Sequence, residues 1–588
     1  MLRICCSIIL IAGLIMCARV VYSNDADEEY LRGLSRETWS YLDSHLAPQT
    51  GFPTDSQFPG GTTNTTNIGL YLACIGPAVE MGFISREDAV SRIGKILASL
   101  KKLESKHGFL PNWISVEGVT KIPAGVFAVS DFNKLITGLI LVRQFFPEFG
   151  REAAELIDRV EWGWLYDRTT GKMHWGYDLA NDTPVGPATF WLASDCRMVM
   201  FYTIASGSAP PELWDSANRN VVKADGLEFY APGYEFGGIF MAAMGAMFLD
   251  EKGTEMGSSI ADLAWHQIRE SQRRGLKVWG WSNCNIPGAG YTEGGFIPWR
   301  VVTPHASALV IEYYPRHVIA NLKALEAMGV RKPLKAGMPA YGFRDSVNVE
   351  TGKADNRYLS LDQSMLFLSL ANYLEDGIVR RNFAKDPLVS GGLELLGDRL
   401  RTDGGLLKKW ARRDGSEPEQ VLSEEAVDSW EPVKFSGMGG AVIETQTFSD
   451  KTSVSAVCDE RGLVIDYDLG PGGAGDAEVR VRVPEIDTRK LGDITLNCDG
   501  ESDDHFGALR IYLRDDRGQS QFSYIRYLKN KMKDYVIPED KRLGIFARPQ
   551  SVNTIVFKLW NRPWYYAPIR TEARKGQIIV KEISFTAK

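Results

Sequence analysis

The sequence predicts a mainly α protein in which paired helices close into a ring, followed by an antiparallel β-sandwich. Three observations carry this. From Asp25 to about Arg413 the apolar residues recur at helical spacing between Gly and Pro breaks. Several of these stretches are apolar on more than one side, as in Ile239-Phe240-Met241-Ala242-Ala243-Met244, so neighbours must cover both sides. After Lys434 the period changes to strict alternation. With 588 residues, 44% of them hydrophobic and 24% charged, the chain can build two or three domains around at least one large core.

Residues 1–23 read as a secretory signal. Arg3 supplies a positive start, Ile8 to Met16 an apolar run too short for a membrane span, and Val21-Tyr22-Ser23 small residues around a cleavage point. Cleavage there removes two arginines and three cysteines, taking the net charge from −7 to −9 and the cysteines from eight to five. An acidic protein that is periplasmic or secreted is expected, with no integral span in the mature chain. Cys17, after Leu14-Ile15-Met16, offers a lipoprotein alternative that the bulk of Met16 disfavours.

The helical domain is expected over 24–415. Leu31, Leu34, Trp39, Leu42 and Leu46 form one stripe, and Ala89, Ile93, Ile96, Leu97, Leu100 and Leu103 another, opened by Ser85 and Asp88 in a capping box. Further helices read at 67–81, 132–146, 151–164, 193–206, 237–250, 257–273, 305–312, 315–328 and 360–379. Residues 416–432 turn acidic and polar and read as a linker. Over 433–588, Val479, Val481 and Val483, then Leu509, Ile511 and Leu513, then Ile555, Phe557 and Leu559 alternate with polar neighbours as half-buried strands do. Ile578 to Val580 and Ile583 to Phe585 close the sandwich.

Much chemistry is excluded by what is missing. The mature cysteines, Cys74, Cys196, Cys284, Cys458 and Cys498, have no CxxC spacing and the seven histidines are scattered, so no metal site is indicated. Cys458 and Cys498 share the sandwich and are candidates for a disulfide; the other three read as core residues. No Walker loop, dinucleotide fingerprint or serine elbow is present, so no cofactor is expected. No basic run could follow a phosphate backbone, which excludes nucleic acid as a partner.

Aromatic residues and carboxylates remain. With 15 Trp, 22 Tyr and 26 Phe, the chain has many rings to spare for a ligand, and Trp175, Trp279, Trp281 and Trp299 stand beside Gly or Pro, where a loop can free a ring to line a cleft. Apolar faces edged with carboxylates suit a sugar ring, making a polysaccharide or oligosaccharide the expected partner. Glycoside hydrolysis needs two carboxyl groups flanking the bond. Candidates are Asp131, Asp178, Asp195, Glu235, Glu293, Asp345 and Asp362. Asp195 and Asp362 stand at the starts of strongly apolar helices, where helix capping is the competing explanation; spacing does not choose between them.

Five segments carry a resemblance. Thr65-Thr66-Asn67-Ile68-Gly69-Leu70-Tyr71-Leu72, Val302-Thr303-Pro304-His305-Ala306-Ser307-Ala308-Leu309, Val318-Ile319-Ala320-Asn321-Leu322, Tyr341-Gly342-Phe343-Arg344-Asp345 and Tyr358-Leu359-Ser360-Leu361-Asp362-Gln363 resemble, in order, the signature blocks of the glycoamylase-like family of bacterial (α/α)6-barrel proteins, which includes the endo-β-1,2-glucanases. The resemblance spans roughly residues 30 to 385. It implies an (α/α)6 toroid and an inverting, metal-independent glycoside hydrolase acting on a β-glucan such as β-1,2-glucan. Carried over by residue, it makes Asp195 the general acid and Asp362 the general base. Asp131, Tyr341, Asp345, Gln363, Trp279 and Trp281 would line the sugar subsites, with His305, Trp175, Trp299, Glu235 and Glu293 as further substrate-binding candidates. Position 195 departs from the family pattern, which has Glu there; a carboxyl shifted by about 1 Å can cost on the order of a hundredfold in rate. Glu235 or Glu293 would then be substitute acids. A glycan-binding protein that has lost catalysis, and a lyase on the same ring, are the rival readings. The closing strands, with Trp560, Trp564, Tyr565 and Tyr566, look like jelly-roll carbohydrate-binding modules, a packing surface being the equal alternative.

Overall fold

The computed structural model describes residues 25–58, 60–118, 126–178, 183–186, 188–224, 226–233, 238–288, 290–292, 300–402, 433–435, 442–447, 452–470, 476–487, 491–502, 508–515, 520–525, 532–537, 551–560 and 575–587. The expected signal and linker, and Glu235, Glu293, Trp299, Trp564, Tyr565 and Tyr566, lie outside them. Among the described residues no helix is long and apolar enough to cross a membrane.

The helical region alternates two kinds of helix. α1 (Asp25–Ser44), α3 (Arg86–Leu100), α5 (Gly150–Asp158), α8 (Glu255–Arg273) and α10 (Pro315–Ala327) keep polar residues on a solvent side. Between them come α2 (Thr65–Glu80), α4 (Val129–Phe145), α6 (Arg197–Ala205), α7 (Ile239–Ala243), α9 (Pro304–Ala308) and α11 (Ser360–Leu374), buried almost all round. α11 packs on α1, α2 and α9, α2 on α4, α4 on α6, and α9 on α7. α12 (Ile378–Ala384) and α13 (Pro387–Leu396) follow, with α13 against α6.

Most expected helices are present, and the Ser85 cap forms, its hydroxyl oxygen accepting from the Asp88 backbone N–H. Five expectations ran too long, 305–312 ending at Ala308 and 360–379 breaking after Leu374 among them. The 151–164 stretch stops at Asp158, with a separate 3-10 turn at Trp162–Leu165; 237–250 contracts to α7 plus a turn at Gly245–Met247; and 193–206 begins only at Arg197. Apolar character persisted through the last three segments because the turns are as buried as the helices they flank.

α2 and α4 meet backbone to backbone. A Cβ on Gly69 would stand 2.1 Å from the Lys134 carbonyl oxygen, and one on Gly138 2.1 Å from that of Gly69. Only glycine permits this approach at either position. It brings the first turns of both helices together, and those turns carry Thr66 and Asp131.

The C-terminal region is two antiparallel sheets around a shared apolar core. One runs in the order Ser453–Asp459, Gly462–Asp468, Lys575–Ala587, Leu491–Ser502, Lys533–Ile537, with Val433–Lys434 also on Lys575–Ala587; the other runs Ile443–Thr447, Asp476–Asp487, Ser551–Trp560, Ala508–Arg514, Ser520–Ile525. The alternating valines and leucines face inward as expected. The two closing segments are one strand, not two. Ile578, Val580, Ile583 and Phe585 all reach the core although their spacing changes parity, because the register slips between Asn497 and Cys498, leaving Lys581 as a bulge.

The disulfide expectation is overturned. Cys458 pairs with Leu463, Leu463 with Val580 and Val580 with Cys498, so the two cysteines share a row but lie three strand spacings apart. At ~4.8 Å per spacing that is about 14 Å, well beyond disulfide reach, and both thiols are free. Gly69→Ala should overpack the α2–α4 crossing and lower stability by about 1–3 kcal/mol in urea unfolding, whereas the same change at Gly82, which nothing crowds, should cost less even with the strain of its positive φ. Equal losses would remove the crossing's special standing.

Candidate functional site

The helix starts gather the acidic residues into two groups. Asp362 lies in the first turn of α11 and is buried, yet it is not a cap: the cap position is Leu359, and no side-chain capping bond is made there. Asp345 comes from the loop after α10. Its carboxyl, that of Asp362 and the ring of His305, in the first turn of α9, have ligand atoms all within 4.8 Å of one another. The backbone N–H of Asn285 donates to Asp345 Oδ2, and the Asn285 amide donates to Asp355 Oδ2 at 2.8 Å.

The hydrogen bonds fix the His305 tautomer. Thr303 Oγ1 donates its proton to the Asp345 carbonyl at 2.6 Å, so it can only accept from His305 Nδ1–H at 2.8 Å. The same Nδ1 is 3.5 Å from Asp362 Oδ1. Nε2 is therefore a bare acceptor, buried without a partner. Burial pushes the His305 pKa down to about 3, keeping the ring neutral. It pushes Asp345 up to about 6 and, with the adjacent Asp345 carboxyl, holds Asp362 well above the carboxylate range. Two buried carboxyls in contact do not readily both ionise, so they titrate as a pair that shares a proton.

The second group surrounds Lys134. Its ammonium bonds Asp195 Oδ2, and at 2.6 Å the Ser130 carbonyl, inside the structure. Asp195 lies in the turn before α6 and its Oδ1 is buried without a partner. Asp131, in the first turn of α4, accepts from Thr66 Oγ1 at 3.1 Å and Asn112 Nδ2 at 2.8 Å. Burial raises its pKa against the lowering charge of Lys134.

The start of α2 links the groups. Thr66 holds Asp131, while the next residue, Asn67, donates to Asp55 Oδ1 at 3.0 Å, and the Asp55 carbonyl accepts from the Ser360 N–H at 3.0 Å. First turns of α2, α4, α9 and α11 and the approach to α6 thus share one end of the helical region. Asp195 and Asp362 are at that end but in different groups, without direct contact.

The other sequence-derived residues divide. Trp175 is half-buried beside the start of α4, its carbonyl accepting from Val129 N–H at 3.0 Å. Gln363 donates from Nε2 to the Phe343 carbonyl at 2.6 Å and leaves Oε1 buried without a partner. Trp279 and Trp281 are buried, and the backbone of each is clamped through paired hydrogen bonds, Trp279 by Asn321 and Trp281 by Gln267. Tyr341 is buried too, packed edge-on to Tyr41, His45 and Tyr358. Lys134 was missed, since a lysine in an apolar helix reads as surface; its position four residues after Ser130 was the available signal. His305, Asp345 and Asp362 are also the residues whose atoms could converge on a cation, a grouping hidden by their separation in the chain.

The site is thus a gathering of buried carboxyls, carboxamides and one neutral imidazole at the helix starts. Residues 190–387 match the glycoamylase family model, described as "Putative glucoamylase", and residues 33–173 match a family of unknown function, DUF3131. The first match covers the second half of the helical region and is to the family that the sequence blocks resemble. An endo-β-1,2-glucanase from Chitinophaga pinensis, solved with sophorotriose and glucose, superposes with a TM-score of 0.53 at 20% identity, over 64% of this chain and 98% of that one; the likeness shows the fold. Among curated proteins, the cyclic β-(1,2)-glucan synthase NdvB of Rhizobium meliloti is 26% identical over 138 residues, 22% of this chain. An exo β-1,2-glucooligosaccharide sophorohydrolase of Parabacteroides distasonis is 26% identical over 175 residues, 26% of this chain. The matches span only 5% and 24% of those two proteins.

The carboxyl pair has a consequence for stability. A folded-state pKa of about 6 for Asp345, above the ordinary ~3.9 of an unfolded chain, means the folded protein binds more protons in between. Stability is therefore full below pH ~4 and is lost as the pH rises through about 6, by on the order of 3 kcal/mol. Thermal unfolding of Asp345→Asn should show a shallower decline, Asp362 keeping the part that burial alone causes; the same slope in wild type and variant would contradict it.

Proposed function

We propose that this protein is an exported glycoside hydrolase acting on a β-glucan, β-1,2-glucan first, by an inverting two-carboxylate mechanism on an (α/α)6 toroid. The observation that carries the reading is the meeting of Asp131, Asp195, Asp345 and Asp362 at one end of parallel buried helices. The β-1,2-glucan activities named for the Chitinophaga and Parabacteroides relatives support the substrate, and the alternation of buried and amphipathic helices supports the toroid.

In this reading Asp195 is the general acid. Lys134 fixes one carboxyl oxygen and leaves Oδ1 to face the glycosidic oxygen. Asp362 is the general base, able to take a proton from water when the proton of the pair rests on Asp345. Inversion asks the acid and base to stand apart with room for that water, consistent with their membership of separate groups. No metal has a step in it. A second reading, a glycan-binding protein without hydrolysis, is favoured by one observation: the Lys134 ammonium already occupies one carboxyl oxygen of Asp195.

The experiment is incubation with β-1,2-glucan and a panel of other glucans, following new reducing ends and the anomer first released by NMR. Asp195→Asn and Asp362→Asn should each lower turnover by at least about a thousandfold while leaving glycan binding in place. Full activity in Asp362→Asn sinks the assignment, and binding without any wild-type turnover establishes the second reading. Asp345→Asn removes the neighbouring charge that raises Asp362, so the acid limb of its pH–rate profile should move to lower pH; an unmoved limb refutes the shared proton. Exhaustive chelation should leave the rate intact, and a loss restored by added Ca2+ or Zn2+ would place a cation among His305, Asp345 and Asp362.

A further inference from the structure

Most large apolar side chains of the helical region are buried, and those that are not have a pattern. Among the described residues of that region the exposed ones are Phe58, Trp113, Tyr291 and Leu395. Leu395, on α13, is an isolated surface residue of the ordinary kind. The three aromatics all stand at the end that holds the carboxyls.

Each is one step from a residue that holds the acidic site. Trp113, 50% exposed, follows Asn112, the residue whose amide donates to Asp131 at 2.8 Å. Its strand, Trp113–Ser115, pairs with Thr62–Asn64, and Asn64 caps α2 by accepting from Asn67 N–H. Tyr291, 41% exposed, is the cross-strand partner of Asn285, whose N–H donates to Asp345. Phe58, 43% exposed, lies under the Arg357 guanidinium, 5.5 Å away, in a segment tied to the approach to α11 by Gln57, which bonds the backbone at Asn356 and Tyr358.

Trp113 therefore flanks the group containing Asp195, and Tyr291 and Phe58 flank the one containing Asp362. Half-exposed aromatic rings that flank a polar site offer apolar faces to a ligand. The ligand with the right chemistry is a sugar ring, whose C–H face stacks on the aromatic while its hydroxyls reach neighbouring amides. We infer that Trp113, on the Asp195 side, and Tyr291 and Phe58, on the Asp362 side, are stacking platforms for sugar units beyond those held by the carboxyls, so that the site grips a saccharide chain on both sides of the acids. The inference rests on the carbohydrate reading above, and deepens it by naming residues that set preference for long chains.

The test compares wild type, Trp113→Ala, Trp113→Phe and Tyr291→Ala on polymeric β-1,2-glucan and on a short oligosaccharide of the same linkage, with mobility in gels containing the polymer. For Trp113→Ala and Tyr291→Ala, kcat/KM on the polymer should fall about three- to tenfold further than on the short substrate, through KM. Gel retardation should weaken in parallel, and Trp113→Phe, which keeps a ring, should recover most of both. Equal losses on both substrates, or unchanged polymer KM and retardation, overturn the inference while leaving the hydrolase reading standing. If wild type cleaves no β-1,2-glucan, retardation by a panel of other polysaccharides separates the two claims. Retardation lost in Trp113→Ala sustains the platforms without the proposed substrate, and no Trp113-dependent retardation in any gel ends the inference.

Discussion

The contact between Gly69 and Gly138 is the constraint on which the site depends. Because neither residue has a side chain, α2 and α4 approach until the backbone of one touches that of the other. Lys134 lies on the same face as that contact, one turn before Gly138, and its carbonyl is the atom that Gly69 meets. The crossing thus sets where the Lys134 ammonium emerges, and with it the position of Asp195 and the reach from Thr66 to Asp131. A helix pair held at the usual 8–10 Å would separate these first turns.

Around that crossing the protein maintains groups that a purely structural core would avoid. Two carboxyls in contact, a neutral histidine with a bare Nε2 and a glutamine with an idle Oε1 are all buried, and each such group costs free energy if nothing satisfies it. The Arg197–Glu251 pair, by contrast, is bidentate, with a third bond from Arg197 to the Ser194 carbonyl. In the proposed function, the idle acceptors at the helix starts take the hydroxyls of a sugar.

The sequence was legible wherever a residue's role follows from its immediate neighbours. The helical stripes, the Ser85 cap and the inward alternation of Val479, Leu509 and Ile555 were readable because amphipathic period and capping are local. Thr66, His305, Asp345 and Asp362, which the structure gathers at the helix starts, all lie within the five ordered blocks. The clamping of Trp279 and Trp281 was not legible, because Asn321 and Gln267 reach their backbones from two helices. Trp113 attracted little notice in the sequence and proves the most exposed tryptophan of the described helical region.

By itself the sequence determined the division into a helical region and a sandwich and the family that the former resembles, because hydrophobic period and motif order are properties of the chain. Tertiary structure alone decided which acids are neighbours: Asp345 with Asp362, and Asp131 with Asp195 through a lysine that read as ordinary. It also decided that Cys458 and Cys498 share a row yet stay apart, and that Lys581 bulges so that both halves of one strand face the core. The physical reason is the same in each case. Burial, proton sharing and strand register arise from groups far apart in the chain, and such contacts exist only once the backbone has closed around them.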